Sequence, residues 1–203
     1  MDFPTTLSPE GLPALTYITD DVHSPKKLLM EITGPSESDN LWQSQFLQYY
    51  KSLRETFANT PEPNLSQGEL DALLHIDPNN RPNTSNQEDR LWRLKTLDQP
   101  SVTLLSMLDH QRTIHLLTHL RKKMSTSIKV EQCMWLVFLL ARLGDLGVLS
   151  GEDVDLLRRI GRKCLNVQKS LDEVKEKVIL STVDMVVCII KYYYQQKDVE
   201  EAA

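Results

Sequence analysis

The sequence predicts an all-α protein, with a C-terminal helical bundle preceded by an extended arm and one isolated amphipathic helix. Apolar residues recur at helical spacing in segment after segment beyond about residue 88. Prolines interrupt the N-terminal stretch, and the last third contains two helices separated by a short Gly/Ser break. We therefore divide the chain into an extended N-terminal arm (1–36), isolated helices (37–76), a flexible linker (77–87) and a helical bundle domain (88–198).

The arm is predicted to be extended because it contains Pro4, Pro13, Pro25 and Pro35. Each proline fixes its own φ, removes a backbone donor and biases the preceding residue away from helix. Apolar clusters nevertheless punctuate the arm, and they include Phe3, Leu12, Tyr17 and Ile18. These clusters indicate anchors on a partner, or else a fold-back onto the domain.

The first helix is predicted over residues 39–58, because large apolar residues share one of its faces. These residues are Trp42, Phe46, Tyr49 or Tyr50, Leu53 and Phe57. Ser66 and Glu69 then have the spacing of a capping box ahead of a second, shorter helix. The polar stretch 77–87 that follows has little capacity to bury surface, which predicts a linker.

In the predicted bundle domain, several residues mark where helices are expected to start and end. Asp109 is a predicted N-cap for a helix that ends in three consecutive cations, which suit a helix C-terminus. Gly144 is predicted to stop a helix over 129–143, and Ser150 to cap one over 152–166. Ser170 and Glu173 resemble a further capping box, for a β-branched helix reaching about residue 194.

Composition and motif spacing argue against several classes of protein, including enzymes and membrane proteins. The seven glycines form no phosphate-binding loop. His115 and His119 have the i,i+4 spacing of two metal ligands, but Leu116 stands where a zinc protease needs Glu and no third ligand is near, so solvated histidines are the favoured interpretation. The three cysteines, in apolar helical contexts, predict reduced core residues in a reducing compartment. The longest apolar run is too short for a membrane span, and the N-terminal residues lack a signal-peptide pattern. We therefore expect neither an enzyme nor a membrane protein.

The net charge of −5 is unevenly distributed. Residues 1–99 carry 8 basic and 15 acidic side chains, whereas residues 100–203 carry 15 basic and 13 acidic side chains. An acidic half is poorly suited to RNA and better suited to a basic protein surface. The alternative interpretation is that the acidic residues serve solubility.

Two helical faces are candidates for partner binding. The helix over 129–143 is apolar nearly all round, with a stripe formed by Trp135, Phe138, Leu139 and Leu143. Such a helix is central in a bundle, or is shared between a core and a bound partner helix. The next helix carries a basic face with Arg158, Arg159, Arg162 and Lys163. That face predicts docking to an acidic patch or phosphate, or is simply solvated.

Seven segments of the chain carry a resemblance to a known family: Leu41–Gln43, Phe46–Arg54, Pro100–Leu108, Trp135–Leu143, Leu156–Cys164, Val186–Tyr193 and Gln195–Asp198. In their order and spacing they resemble the survival-motor-neuron (SMN) interacting protein family, which includes the second Gemin protein and a yeast snRNP-biogenesis factor. The match covers about residues 39–58 and 98–198.

The resemblance implies a non-enzymatic assembly chaperone of spliceosomal snRNPs, acting in cytoplasm and nucleus. Such a protein binds the SMN N-terminal helix and holds an open Sm-protein pentamer before it is loaded onto snRNA, with no direct RNA binding expected. We assign the SMN-helix groove to Trp135, Phe138, Leu139 and Arg142. We assign the Sm-ring contacts to Phe3, Leu12, Tyr17, Ile18, Trp42, Phe46, Arg158, Arg159 and Arg162. The alternative is a generic helical adaptor with no role in RNA processing.

Overall fold

The computed structural model describes residues 39–60, 63–64, 66–74, 92–93, 96, 100, 102–124, 128–171 and 176–199. Its helices are α1 (Asp39–Asn59), α2 (Gln67–Leu74), α3 (Val102–Ser106), α4 (His110–Lys123), α5 (Val130–Arg142), α6 (Gly151–Ser170) and α7 (Lys177–Cys188). Within these ranges the regular structure is helical and contains no strand, which confirms the all-α class. The predicted arm (1–36) and linker (77–87) lie outside the described residues.

Helix α5 is the centre of the bundle and packs against α1, α3, α4 and α7. Every residue from 133 to 141 is buried, so the helix is covered on all sides. This arrangement explains its nearly uniform apolar sequence, because a helix without a polar face is stable only when it is surrounded. Of the two roles that the sequence allowed, the structure shows the central core helix.

We expected α1 to stand apart from the bundle, and the structure corrects that expectation. Four of its large side chains, Phe46, Tyr50, Leu53 and Phe57, lie in the same core as α5. The amphipathic face was predicted correctly, but such a face is stabilised only when it is buried against another apolar surface. Helices α5 and α7 provide that surface.

Two predicted helix starts, at Asp109 and Ser150, are confirmed by their capping bonds. The Asp109 carboxylate accepts a 2.7 Å hydrogen bond from the Arg112 backbone N–H at the start of α4. At α6 the Ser150 hydroxyl accepts from the Asp153 N–H (3.1 Å), while the Asp153 carboxylate accepts from the Ser150 N–H (3.0 Å). These bonds satisfy backbone donors that the first turn of a helix leaves unpaired.

Helix α5 ends where the sequence predicts, but the glycine has a different role there. Leu143, with φ −67° and ψ 151°, already leaves the helical conformation. Gly144 provides space: a Cβ at this position would lie 2.5 Å from Cγ2 of Val148 in the following Leu146–Val148 turn. A side chain at position 144 would therefore force the exposed Val148 side chain to move.

The C-terminal helix ends near residue 194 as predicted, but its start differs from the prediction. Ser170 does not cap it but is the last residue of α6, where its hydroxyl donates to the Val167 carbonyl (2.8 Å). Glu173 lies outside the described residues. Helix α7 begins at Lys177 and continues into a wider π-helical turn, Ile189–Tyr193, so the β-branched segment is helical as predicted.

Candidate protein-interaction surfaces

The side chains assigned to the SMN-helix groove are in the core. Trp135 and Leu139 are fully buried, and Phe138 is only 8 % exposed. The ring of Phe57, from α1, packs edge-to-face on Phe138 with the centroids 6.3 Å apart. A partner helix therefore cannot reach Trp135 or Leu139 without displacing neighbouring side chains.

Arg142, at the end of α5, turns toward the chain itself. Its guanidinium donates to the Leu108 carbonyl (2.8 Å) and lies 5.9 Å from the centroid of the Phe57 ring. It thereby satisfies a backbone acceptor in the segment that joins α3 to α4. Arg142, which the sequence assigned to the SMN-helix groove, is thus already engaged within the bundle.

Arg54 of α1 is a structural residue that the sequence did not reveal. Its Nη1 lies 2.6 Å from the Leu143 carbonyl and 3.3 Å from each of the Leu140 and Ala141 carbonyls. Its Nη2 forms an ion pair with Asp145 at 3.0 Å. A cation is favourable here because the last carbonyls of a helix are unpaired and carry partial negative charge.

Two tyrosines complete this Arg54 cluster. The Tyr194 hydroxyl lies 3.1 Å from Nη1 of Arg54 and donates to the Leu140 carbonyl at 2.8 Å. Burial raises the pKa of Tyr194 to about 12, although the positive charge of Arg54 acts in the opposite direction. Tyr193 donates to the Asp145 carboxylate (2.8 Å) and places its ring 4.9 Å from the guanidinium carbon. The cluster joins α1, the end of α5 and the turn after α7.

At the start of α1, the structure brings together Trp42 and Phe46, two of the residues assigned to the Sm ring. Their rings stack with centroids 5.4 Å apart. Phe46 is buried, Trp42 is half-buried and the preceding Leu41 is 60 % exposed. The accessible apolar surface here therefore consists of Leu41 and the outer edge of Trp42. Phe3, Leu12, Tyr17 and Ile18 lie outside the described residues.

The basic face of α6 is partly neutralised by carboxylates of the same chain. Arg159 pairs with Asp155 one helical turn earlier. Nε of Arg158 lies 3.2 Å from a carboxylate oxygen of Asp198. Arg162 is half-buried on the same face as Arg158. The predicted face thus exists, but it is not an open row of free cations.

The described part of the chain contains no candidate metal site. Across those residues, no group of three or more His, Cys, Asp and Glu side chains has the geometry to hold a metal ion. No helix in the described ranges is long and apolar enough to cross a membrane.

The three thiols are expected to be unreactive in the folded protein. Cys133, Cys164 and Cys188 are free and buried. Burial raises the pKa of Cys133 and of Cys188 to about 12, and raises that of Cys164 well above its ordinary value. Since the thiolate is the reactive form and an unfolded cysteine titrates near 8.5, a disulfide reagent at pH 8 should label all three only after denaturation. Rapid labelling of any native thiol would contradict this burial.

The fold and these surfaces define an all-α helical-bundle protein. A family model described as "Survival motor neuron (SMN) interacting protein 1 (SIP1)" matches residues 10–197, and the chain belongs to that family. A search of curated proteins gives no significant match. Among solved structures, the chain is similar to one in "The 8S snRNP Assembly Intermediate", with a TM-score of 0.60 and 18 % identity. The alignment covers 100 % of this chain and 90 % of that chain, which supports the fold.

Proposed function

We propose that this protein is a non-catalytic assembly factor of spliceosomal snRNPs. It binds the N-terminal helix of SMN and holds an open pentamer of Sm proteins before loading onto snRNA. The observation that carries the proposal is membership of the SMN-interacting family over residues 10–197. The similar chain from an snRNP assembly intermediate is consistent with it. The same membership leads us to propose activity in cytoplasm and nucleus.

The bundle supplies the SMN site in this proposal. Because Trp135 and Leu139 are fully buried, they support the surface that receives the SMN helix rather than contacting it. Phe138 and Arg142 are nearer to the surface and define the edge of that groove. A groove built on a packed core is preorganised, so less conformational entropy is lost on binding.

The N-terminal half supplies the Sm site. Residues 1–99 carry a net charge of −7, which complements a basic protein surface and disfavours direct RNA binding. Leu41 and Trp42 present an apolar edge at the start of α1, next to the arm in sequence. Arm anchors such as Tyr17 and Ile18 then extend the contact along the ring, while the basic face of α6 contributes on the bundle side.

Deleting residues 1–36 should weaken Sm-pentamer binding at least tenfold and leave SMN-peptide binding unchanged. The reason is that one buried apolar anchor at an interface contributes about 2 kcal/mol, and about 1.4 kcal/mol corresponds to a factor of ten. The measurement is a titration of each partner separately, with full-length and deleted chain, at low and high salt.

Two matched variants separate charge from apolar anchoring in the arm. Asp20→Asn with Asp21→Asn should reduce the salt dependence of pentamer binding, because exposed charges are screened beyond about 8–10 Å. Tyr17→Ser with Ile18→Ser should weaken binding at both salt concentrations. Equal pentamer affinity for the full-length and deleted chains would show that the arm is passive. Failure to bind either partner would favour the generic helical adaptor.

A further inference from the structure

The exposed side of α4 carries a cluster of basic side chains. Lys122 and Lys123, in the last turn of the helix, are exposed. His119 lies three and four residues before them, which places it on the same side of the helix. Arg93, from the segment before α3, is also exposed and brings its charge close to His119. We call Arg93, His119, Lys122 and Lys123 the α4 cationic face.

The segment that contains Arg93 is anchored on α4. The adjacent Trp92 is only 2 % exposed, and the guanidinium carbon of Arg112 lies 5.3 Å from the centroid of its ring. Arg112 belongs to α4 and precedes His119 by about two helical turns, so the two residues share one side of the helix. The contact between Trp92 and Arg112 therefore holds Arg93 on the side of α4 that carries His119.

The charges of this face are not neutralised by carboxylates within the described part of the chain. The ion pairs between described residues involve other basic residues, namely Arg54, His110, Arg158 and Arg159. The pKa of His119 is lowered by partial burial and further by the positive charges of Arg93, Lys123 and Lys122. The helix dipole favours cations in the last turn of α4, but it does not account for Arg93, which comes from another segment. A bound anion would relieve the repulsion among these groups.

The chemistry of the face favours a phosphate backbone over an acidic protein segment. Protein interfaces depend on large apolar anchors near their centre. The large apolar side chains that are exposed in the described ranges are Leu41, Val148 and Tyr192, and none of them lies on α4. Phosphate contacts, by contrast, require only positive charge. Because the Trp92 ring beside the face is buried, bases cannot stack on it, and binding there should not depend on nucleotide sequence.

We propose that the α4 cationic face binds the phosphate backbone of single-stranded RNA. The acidic excess that disfavours RNA lies in residues 1–99, whereas residues 100–203 carry 15 basic and 13 acidic side chains. The bundle thus provides a local phosphate contact on its own surface. The choice of RNA rests on the proposed role in snRNP assembly, whereas the preference for phosphate rests on the charges of the face.

The test titrates the full-length chain into a fluorescein-labelled oligonucleotide of about ten uridines and follows fluorescence anisotropy. Three phosphate contacts on a single strand give a slope of about −2 for log K against log salt, so binding should weaken about tenfold between about 50 mM and about 150 mM salt. Arg93→Gln with Lys122→Gln and Lys123→Gln should weaken binding about tenfold at the lower salt concentration and remove most of the salt dependence. These side chains are exposed, so the variant should fold normally and retain binding to the SMN peptide and the Sm pentamer.

The matched control removes three exposed lysines elsewhere, by Lys51→Gln with Lys177→Gln and Lys197→Gln. It changes the net charge equally and should retain most of the RNA affinity and salt dependence. An NMR titration of the His119 imidazole gives a second measurement. RNA should raise the pKa of His119, because a neighbouring phosphate favours the protonated ring.

Several outcomes would overturn the proposal: equal RNA binding by the two triple variants, an unchanged His119 titration, or a polyglutamate peptide of the same length that binds as tightly as RNA. Loss of SMN-peptide binding in the Arg93, Lys122 and Lys123 variant would also overturn it, because the face would then belong to the SMN site. RNA binding at this face by a chain that binds neither SMN nor Sm proteins would support the inference and contradict the proposed function.

Discussion

Replacing Arg54 with alanine should lower the free energy of unfolding by about 3 kcal/mol, since a hydrogen bond to a charged group contributes about 1.5–3 kcal/mol. The guanidinium contacts three carbonyls at the end of α5, the Tyr194 hydroxyl and Asp145. Without it, the buried end of α5 loses its cation, and α1 loses a polar connection to the bundle. Urea denaturation followed by far-UV circular dichroism measures the change.

The matched control for Arg54 is Arg159→Ala. Arg159 also pairs with an aspartate, but it lies on an exposed helix surface, where an i,i+4 pair contributes only about 0.3–0.5 kcal/mol. Arg54→Lys is an informative intermediate, because it keeps the charge but lacks the planar donors that reach several acceptors at once. If Arg54→Ala and Arg159→Ala destabilise equally, the Arg54 cluster does not connect α1 to the bundle.

Local features were predictable from the sequence because their causes lie within a few residues. The caps at Asp109 and Ser150 depend on bonds to backbone three residues away, and both formed as predicted. The apolar face of α1 likewise follows from spacing within one helix. Such local features depend on short stretches of sequence and not on how distant parts of the chain pack.

Tertiary pairing was not predictable in the same way. Arg54 and its acceptors on α5 are 86 to 89 residues apart, and nothing in the sequence around Arg54 distinguishes it from a solvated cation. For the same reason α1 was expected to be isolated, and the hydrogen bond from Arg142 to the Leu108 carbonyl was not foreseen. The nearly uniform apolar sequence of α5 was the one available signal that another element must cover it.

Truncating Trp135 to alanine should lower the free energy of unfolding by about 3–5 kcal/mol, the usual effect of removing a fully buried tryptophan. Trp135 lies in α5, where every residue from 133 to 141 is buried, so the neighbouring helices cannot collapse easily into the space left. A domain of this kind has only about 5–15 kcal/mol of stability. We therefore expect a large fall in melting temperature and partial unfolding near 37 °C.

The same variant separates support of the groove from direct contact with the SMN helix. If Trp135 only supports the groove, the variant's folded molecules should bind the SMN peptide normally and its unfolded molecules should not bind it. The apparent affinity should then fall only in proportion to the fraction of protein that is folded. At low temperature, where the variant is mostly folded, the measured SMN affinity should return close to that of the parent protein. Val148→Ala, at a side chain that is 75 % exposed, is the control and should change stability by less than about 0.5 kcal/mol. A Trp135→Ala protein as stable as the parent, yet more than about tenfold weaker for the SMN peptide, would mean that Trp135 itself contacts the partner.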